Sequence, residues 1–254
     1  MICFEGVSFA YQDKTVLSGV SFCAGGGRIT GVLGPNGSGK TTLLRLAQAA
    51  LLPQTGSVTL CGRDTREYTA RERARKLALV PQSSSMDFDF TVREVVLMGR
   101  SPYLGRFAAE SGEDERIARE AMALTKVDTL ADRSVTRLSG GEWQRVVVAR
   151  ALAQQTPVLL LDEPVSSLDV LHQVEVLGLM ARLAHGQGKC VLCVLHDLNL
   201  AAQFCDDIAL LRGGELVAFG VPEEVLPRAG EAYGLPLITL PHPVTGKLCV
   251  FPHY

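Results

Sequence analysis

The run Gly34-Pro35-Asn36-Gly37-Ser38-Gly39-Lys40-Thr41 constrains this chain more than any other stretch. It follows the apolar residues 29–33, and helical periodicity begins at Lys40 and continues to residue 50, so the glycines form a turn between a strand and a helix. Glycines in that position let backbone N–H groups close around phosphate oxygens, and the helix N-terminus adds a favourable dipole. Lys40 then neutralises charge on the β- and γ-phosphates, and Thr41 is placed as a ligand of Mg²⁺. A second apolar run, residues 158–161, ends in Asp162-Glu163. A carboxylate at the end of a buried strand is costly unless it serves a metal or a reaction. Asp162 is therefore expected to reach Mg²⁺, and Glu163 to orient or deprotonate an attacking water.

Around these two points, stretches of β character alternate with helical ones, which predicts an α/β fold with a mainly parallel sheet. Residues 2–10, 15–23 and 28–33 are β-prone with no helix between them and read as an N-terminal antiparallel β meander. Residues 91–153 show almost no strand signal and read as an inserted helical subdomain. The expected division is 1–33 antiparallel β region, 34–90 and 154–220 phosphate-binding core, 91–153 helical subdomain and 221–254 carboxyl-terminal appendage. At 254 residues the chain is long enough for one large domain with such additions.

Composition excludes several classes of function. A net charge of −2 gives no global reason to bind nucleic acid. The Arg-rich residues 63–76 look like a basic patch, but Glu67 precedes Arg71 by one helical turn and Glu72 precedes Lys76 likewise, which predicts a solvated helix face. No apolar run approaches the roughly 20 residues of a membrane helix. No secretory signal is visible, so the chain is expected in the cytoplasm. Seven scattered cysteines fit reduced, buried thiols better than a disulfide framework. Cys190-x-x-Cys193 has metal-like spacing, yet on a strand the two side chains point to opposite faces.

The run Leu138-Ser139-Gly140-Gly141-Glu142, upstream of Asp162-Glu163, completes an ordered series with Tyr11, the Gly34–Thr41 loop, Gln82, Ser167-Leu168-Asp169 and His196. Over essentially its whole length the chain resembles the ATP-binding subunit of ABC transporters. The resemblance implies a P-loop ATPase that uses ATP and Mg²⁺ and works as a head-to-tail homodimer, each ATP lying between the phosphate loop of one copy and the signature of the other. Tyr11 would stack on adenine, and Thr42 would join Gly34, Pro35, Asn36, Gly37, Ser38, Gly39, Lys40 and Thr41 around the phosphates. Ser139, Gly140, Gly141 and Glu142 would open a second helix toward the γ-phosphate, with Asp169 crossing the dimer interface. Gln82 would sense Mg²⁺ and the attacking water, and His196 would hold the γ-phosphate. Taken singly, Tyr11 is as consistent with packing, Gln82 is unremarkable and His196 fits a structural role; their order supplies the reading. Trp143 stands where the family usually has a basic residue.

The absence of a fused membrane span points to importers. Residues 91–103, 167–173 and 194–202 look like the branch that imports iron-siderophores, haem and vitamin B12, although zinc, molybdate and phosphonate importers share parts of them. The implied partners are integral membrane permease subunits and, indirectly, an extracytoplasmic substrate-binding protein, with no nucleic acid, at the cytoplasmic face of the membrane. Residues 83–106 are expected to contact the permease; Met86, Phe88, Phe90, Tyr103 and Phe107 suit a partner surface or buried anchoring equally. The competing class is a soluble ABC ATPase acting on ribosomes or DNA. Such proteins usually carry two ATPase units or a long coiled coil, whereas this chain has one phosphate loop and no heptad tract.

Overall fold

The computed structural model describes residues 1–82, 88–105, 109–166 and 168–253. The chain begins with the hairpin β1 (Ile2–Tyr11) and β2 (Lys14–Ala24), followed by β3 (Arg28–Leu33) and α1 (Lys40–Ala47). Then come β4 (Thr55–Leu60), β5 (Arg63–Asp64), α2 (Ala70–Ala74) and β6 (Leu77–Val80). Three helices follow, α3 (Val92–Leu97), α4 (Gly112–Leu124) and α5 (Gly140–Ala153). The α/β alternation resumes with β7 (Val158–Asp162), α6 (Val170–Gln187), β8 (Cys190–Val194), α7 (Leu198–Phe204), β9 (Asp207–Arg212) and β10 (Glu215–Gly220). Two short helices, α8 (Pro222–Val225) and α9 (Ala229–Tyr233), and the hairpin β11 (Leu237–Pro241) and β12 (Leu248–Pro252) end the chain.

The principal sheet runs β10-β9-β3-β8-β7-β6, parallel except for β10 at one edge. Its central strands β7 and β8 are buried along their whole length and almost wholly apolar, because both faces are covered. Along β7, Leu159 and Leu161 face one core, with α5, α6 and α7, while Val158 and Leu160 face the other. That second core is closed by α1 and a separate antiparallel sheet of order β2-β1-β4-β5. Helices α3, α4 and α5 enclose a third cluster around Val95, Val96, Met122 and Val146. Trp143 packs against both this cluster and the first core, a wedge between the helices and the sheet.

Three sequence expectations need correction. β3 does not complete the N-terminal meander; it lies in the parallel sheet between β9 and β8, and β4 takes its place beside β1. Pairing partners are chosen by buried area on both faces, which the local β signal of residues 28–33 does not encode. Cys3 and Cys23 are not free thiols, because the β1–β2 register sets them directly opposite, with Cα atoms 4.1 Å apart, and they form a disulfide. Cys190, Cys193 and Cys205 are buried thiols, as expected, and Cys190 and Cys193 belong to opposite cores. Finally, Glu67 pairs with Arg63 at 3.1 Å rather than with Arg71, whose guanidinium donates to the Pro102 and Leu104 carbonyl oxygens. Residues 65–67 form a tight turn of their own, so Glu67 and Arg71 do not share a helix.

Four helices start on the same device. Thr69, Thr91, Ser111 and Ser139 each accept from the third N–H of their helix, while Glu72, Glu94, Asp114 and Glu142 reach back to the capping residue. Asp114 also receives the Arg100 guanidinium at 2.8 Å, the two side chains being 9% and 7% exposed. The Ser111 hydroxyl, with Arg100 next, lowers its carboxyl to about 2. Its stabilising contribution is thus fully present above the ordinary aspartate value near 4 and is lost as pH falls from there through 2. Asp114→Asn should destabilise the α3–α5 region by about 3–5 kcal/mol at neutral pH, since it strands a buried guanidinium. Chemical denaturation should show that difference shrinking between pH 4 and pH 2.

Candidate active site

The site collects at the carboxyl ends of four neighbouring strands. Val194 at the end of β8 pairs with Val32 of β3 on one side and with Asp162 of β7 on the other, and β6 pairs with β7 up to Val80 and Leu161. The segments after these strands carry the phosphate loop, Glu163, His196 and Gln82, and they leave the sheet along one edge. Crevices at such edges are where α/β sheets take their ligands.

The loop's Gly34, Gly37 and Gly39 have φ of 148°, 78° and 100°. At Gly34 a Cβ would stand 2.3 Å from the Leu211 carbonyl oxygen, so only glycine fits. Lys40 opens α1 and is buried, its Nζ donating to the carbonyl oxygens of Gly34 at 2.7 Å and Pro35 at 3.0 Å. Burial lowers the pKa of this amine, while the charges of Glu163 and Asp162 oppose the shift. Lys40 is thus folded onto its own loop, in contacts that phosphate oxygens would replace. Beside it opens a cavity of about 490 Å³ lined by Tyr11, Val16, Asn36, Lys40, Thr41 and Glu163. Tyr11 ends β1 with 40% exposure; its ring meets Phe9 edge-on and its hydroxyl accepts from Arg45 at 3.3 Å.

Glu163 has a φ of 50°, and its N–H donates to the Val194 carbonyl oxygen at 3.2 Å. This left-handed turn is rare for a side chain with a Cβ and clusters at functional sites. One Glu163 carboxylate oxygen lies 2.5 Å from His196 Nε2, and the other accepts from Gln82 Nε2 at 2.7 Å. Three separate strands thus deliver one carboxylate and the two side chains that engage it. Two side-chain amides, one buried and one half-buried, brace the following loop: Gln144 of α5 donates to the Pro164 carbonyl oxygen at 3.0 Å, and Gln173 of α6 to those of Val165 and Leu168.

Asp162 is 8% exposed. Among the described residues its Oδ1 and the Ser38 Oγ are buried side-chain atoms without a hydrogen-bond partner. Burial, and then the Glu163 charge, push the Asp162 carboxyl above the ordinary aspartate range, against the pull of the Thr41 hydroxyl, Arg45 and Lys40. A buried carboxyl with a free oxygen, beside the hydroxyls of the phosphate loop, is the oxygen donor set of a small hard cation. These residues fit Mg²⁺.

Ser139, Gly140, Gly141, Glu142 and Asp169 do not line this cavity. Ser139 is exposed at the start of α5, where its hydroxyl and N–H engage the Glu142 carboxylate, so Glu142 serves the helix cap. Asp169 caps α6, accepting from the His172 N–H at 3.0 Å. Ser167 lies outside the described residues, as do Met86, Phe107 and, of the expected permease contact, residues 83–87 and 106. Within that contact, Tyr103 is an internal anchor, its hydroxyl donating to the Gln154 carbonyl oxygen and its ring covered by Arg100. Phe90 packs against the helical core, whereas Phe88 is 72% exposed.

Val16, Arg45, Gln144 and Gln173 were not legible as site residues. Val16 and Arg45 carry no motif, and each joins the site only because β2 and α1 border the same crevice.

Fold and site together define a P-loop nucleotide hydrolase. Residues 17–166 match the sequence profile of the ABC transporter family. The chain is 46% identical over 250 residues to the hemin import ATP-binding protein HmuV of Streptomyces coelicolor, covering 98% of this chain and 88% of that one. It is 38% identical over 250 residues to the ferric enterobactin transport ATP-binding protein FepC of Escherichia coli, covering 98% and 92%. Among solved structures, an ABC transporter of metal-chelate type in an inward-facing conformation superposes with a TM-score of 0.88 at 30% identity, covering 100% of this chain and 97% of that one. The chain belongs to the ABC transporter family, as one of its ATP-binding, ATP-hydrolysing subunits.

Lys40→Ala should weaken ADP and ATP binding by tenfold or more, the loss of about 1.5–3 kcal/mol for a charged hydrogen bond. Isothermal titration of the purified chain measures this, and wild-type affinity would show that the loop does not hold phosphate.

Proposed function

We propose that this chain powers the import of a metal chelate, an iron-siderophore, haem or cobalamin, through a separate membrane permease. The relatives named for hemin and ferric enterobactin transport support that cargo class. The convergence of Gln82 and His196 on the Glu163 carboxylate, beside the phosphate loop, is the observation that carries the catalytic reading.

In this reading the loop's N–H groups and Lys40 bind the triphosphate, and Tyr11 stacks on adenine. Thr41, Asp162 and Gln82 would hold Mg²⁺, which when bound neutralises charge on the β- and γ-phosphates. Glu163 accepts the proton of the attacking water at a carboxylate oxygen, its orientation fixed by Gln82 and His196, and ATP and water become ADP and phosphate. His196 also reaches the γ-phosphate.

The site is half of a composite. The Ser139 hydroxyl and the N–H groups of Gly140 and Gly141 form an exposed helix N-terminus suited to phosphate, and they stand away from the cavity of their own chain. A head-to-tail homodimer brings that end onto the partner's nucleotide. Exposed Val170, Leu171 and Val174, directly after Asp169, offer an apolar face for the contact. The cleft of about 590 Å³ between core and helices, lined by Arg73, Leu79, Pro81, Met98, Gly99 and Arg150, adjoins Gln82 and suits a cytoplasmic segment of the permease. Among the described residues no helix is long and apolar enough to cross a membrane. In this reading the chain acts peripherally, at the cytoplasmic face, on the permease that it powers. An extracytoplasmic substrate-binding protein would deliver the cargo.

Glu163→Gln should keep nucleotide affinity within about threefold and lower turnover by at least ~100-fold, the range of general-base catalysis. With Mg·ATP the variant should accumulate as a dimer by light scattering and retain a polytopic permease when isolated from detergent-solubilised membranes. Unchanged turnover contradicts the base assignment, and ribosomal or DNA-bound partners in place of a permease contradict the transport role.

A further inference from the structure

β3 pairs with β9 as far as Leu33 and Leu210, and the next N–H, that of Gly34, lies at the root of the phosphate loop. A buried N–H without a partner costs about 1–3 kcal/mol. This one is met from the far end of the chain: it donates to the hydroxyl of Tyr233 at 3.2 Å. Tyr233 is the last residue of α9, and Gly234 follows with a φ of 70°, turning the chain away. The ring packs against the core that contains Ile208 and Leu210. Its support is firm, since Val225, Leu226, Ala229 and Ala232 of the same appendage are each at most 4% exposed. Burial raises the phenol's pKa against the opposing effect of the Gly34 bond, so the group is a neutral hydroxyl at ordinary pH.

Gly34 is thereby held on both of its polar groups. Tyr233 takes its N–H, and Lys40 takes its carbonyl oxygen at 2.7 Å. The position admits no side chain, because a Cβ would also stand 2.7 Å from the Ser38 Oγ. In the nucleotide reading Lys40 would leave the Gly34 carbonyl for phosphate, whereas the Gly34 N–H is already taken by Tyr233 at the base of the loop.

We propose that Tyr233 is a positioning residue for the nucleotide site, fixing the first peptide of the phosphate loop from the carboxyl-terminal appendage. The appendage, which lies outside the 17–166 family match, is then part of the ATP-binding machinery. The proposal rests on the loop's being the ATP site.

Tyr233→Phe removes the hydroxyl and little else. Without that hold the free loop samples positions that do not cradle phosphate, so in the full-length chain the Kd for ADP and for ATP should rise about fivefold, the population cost of losing about one net hydrogen bond from the competent loop. In the complex with its permease, KM for ATP should rise similarly while kcat at saturating ATP stays within twofold. The Gly34 amide signal of ¹⁵N-labelled protein should shift and exchange faster with solvent, which a mere packing role would not produce. Wild-type affinity with an unmoved Gly34 amide overturns the proposal, as does a lower kcat at unchanged KM. Lys40→Ala keeps the two readings apart: wild-type affinity in that variant sinks the nucleotide site itself, whereas weakened Lys40→Ala beside unaffected Tyr233→Phe sinks only the role of Tyr233.

Discussion

The parallel pairing of β8 with β3 on one side and β7 on the other decides where the chemistry of this protein can be. Because the three strands end together around Val194, the loops that follow them share one edge, and the phosphate loop, the Asp162-Glu163 pair and His196 become neighbours although the three segments lie far apart in sequence. β6 adds Gln82 to the same edge. The cost of assembling this site is borne by strands that are apolar on both faces, with the two cores on either side of the sheet supplying the burial that holds the register.

On that frame the polar groups divide into those with partners and those without. Glu163 is fully engaged by Gln82 and His196, and its own backbone is held by Val194, so the carboxylate's direction is set before any nucleotide arrives. Asp162, one residue earlier, keeps a buried oxygen with no partner, a situation that proteins tolerate where a ligand completes it. The same contrast separates the two helix N-termini: α1 lies within the cavity, while α5, capped by Ser139 and Glu142, presents its end to the outside. A chain folded this way holds a cradle and a base together and displays its second phosphate-binding helix end elsewhere.

How much of this is legible in the sequence follows the range of the interactions. The phosphate loop is a local pattern, in which spacing places glycines in a turn before a helix; Asp162-Glu163 is local too, a pair of carboxylates ending an apolar run, while the start of α5 takes its meaning from the family resemblance. The alternation of apolar runs likewise reveals the parallel sheet and the helical insertion. What escapes is whatever depends on pairing between distant segments. Residues 28–33 are recognisably a strand, but membership of the parallel sheet is settled by β8 and β9. The Cys3–Cys23 bond follows from hairpin register, which bulges in β1 shift along the strand. Tyr233 reaches Gly34 only once α9 has packed on the sheet, and nothing in residues 229–234 announces it.

The central claim is that the hydrolytic site is shared between two copies, with the start of α5 acting on the other copy's nucleotide. Ser139→Asp tests it most directly, because aspartate still accepts from the Glu142 N–H at the cap, at the loss of the hydroxyl's bond to the Glu142 carboxylate, while placing a carboxylate against the phosphate; circular dichroism of the variant checks that α5 is kept. The measurement is ADP affinity of the isolated variant alongside ATP turnover in its assembled transporter. A composite site predicts unchanged ADP affinity with turnover reduced by about two orders of magnitude or more. Undiminished turnover would contradict it.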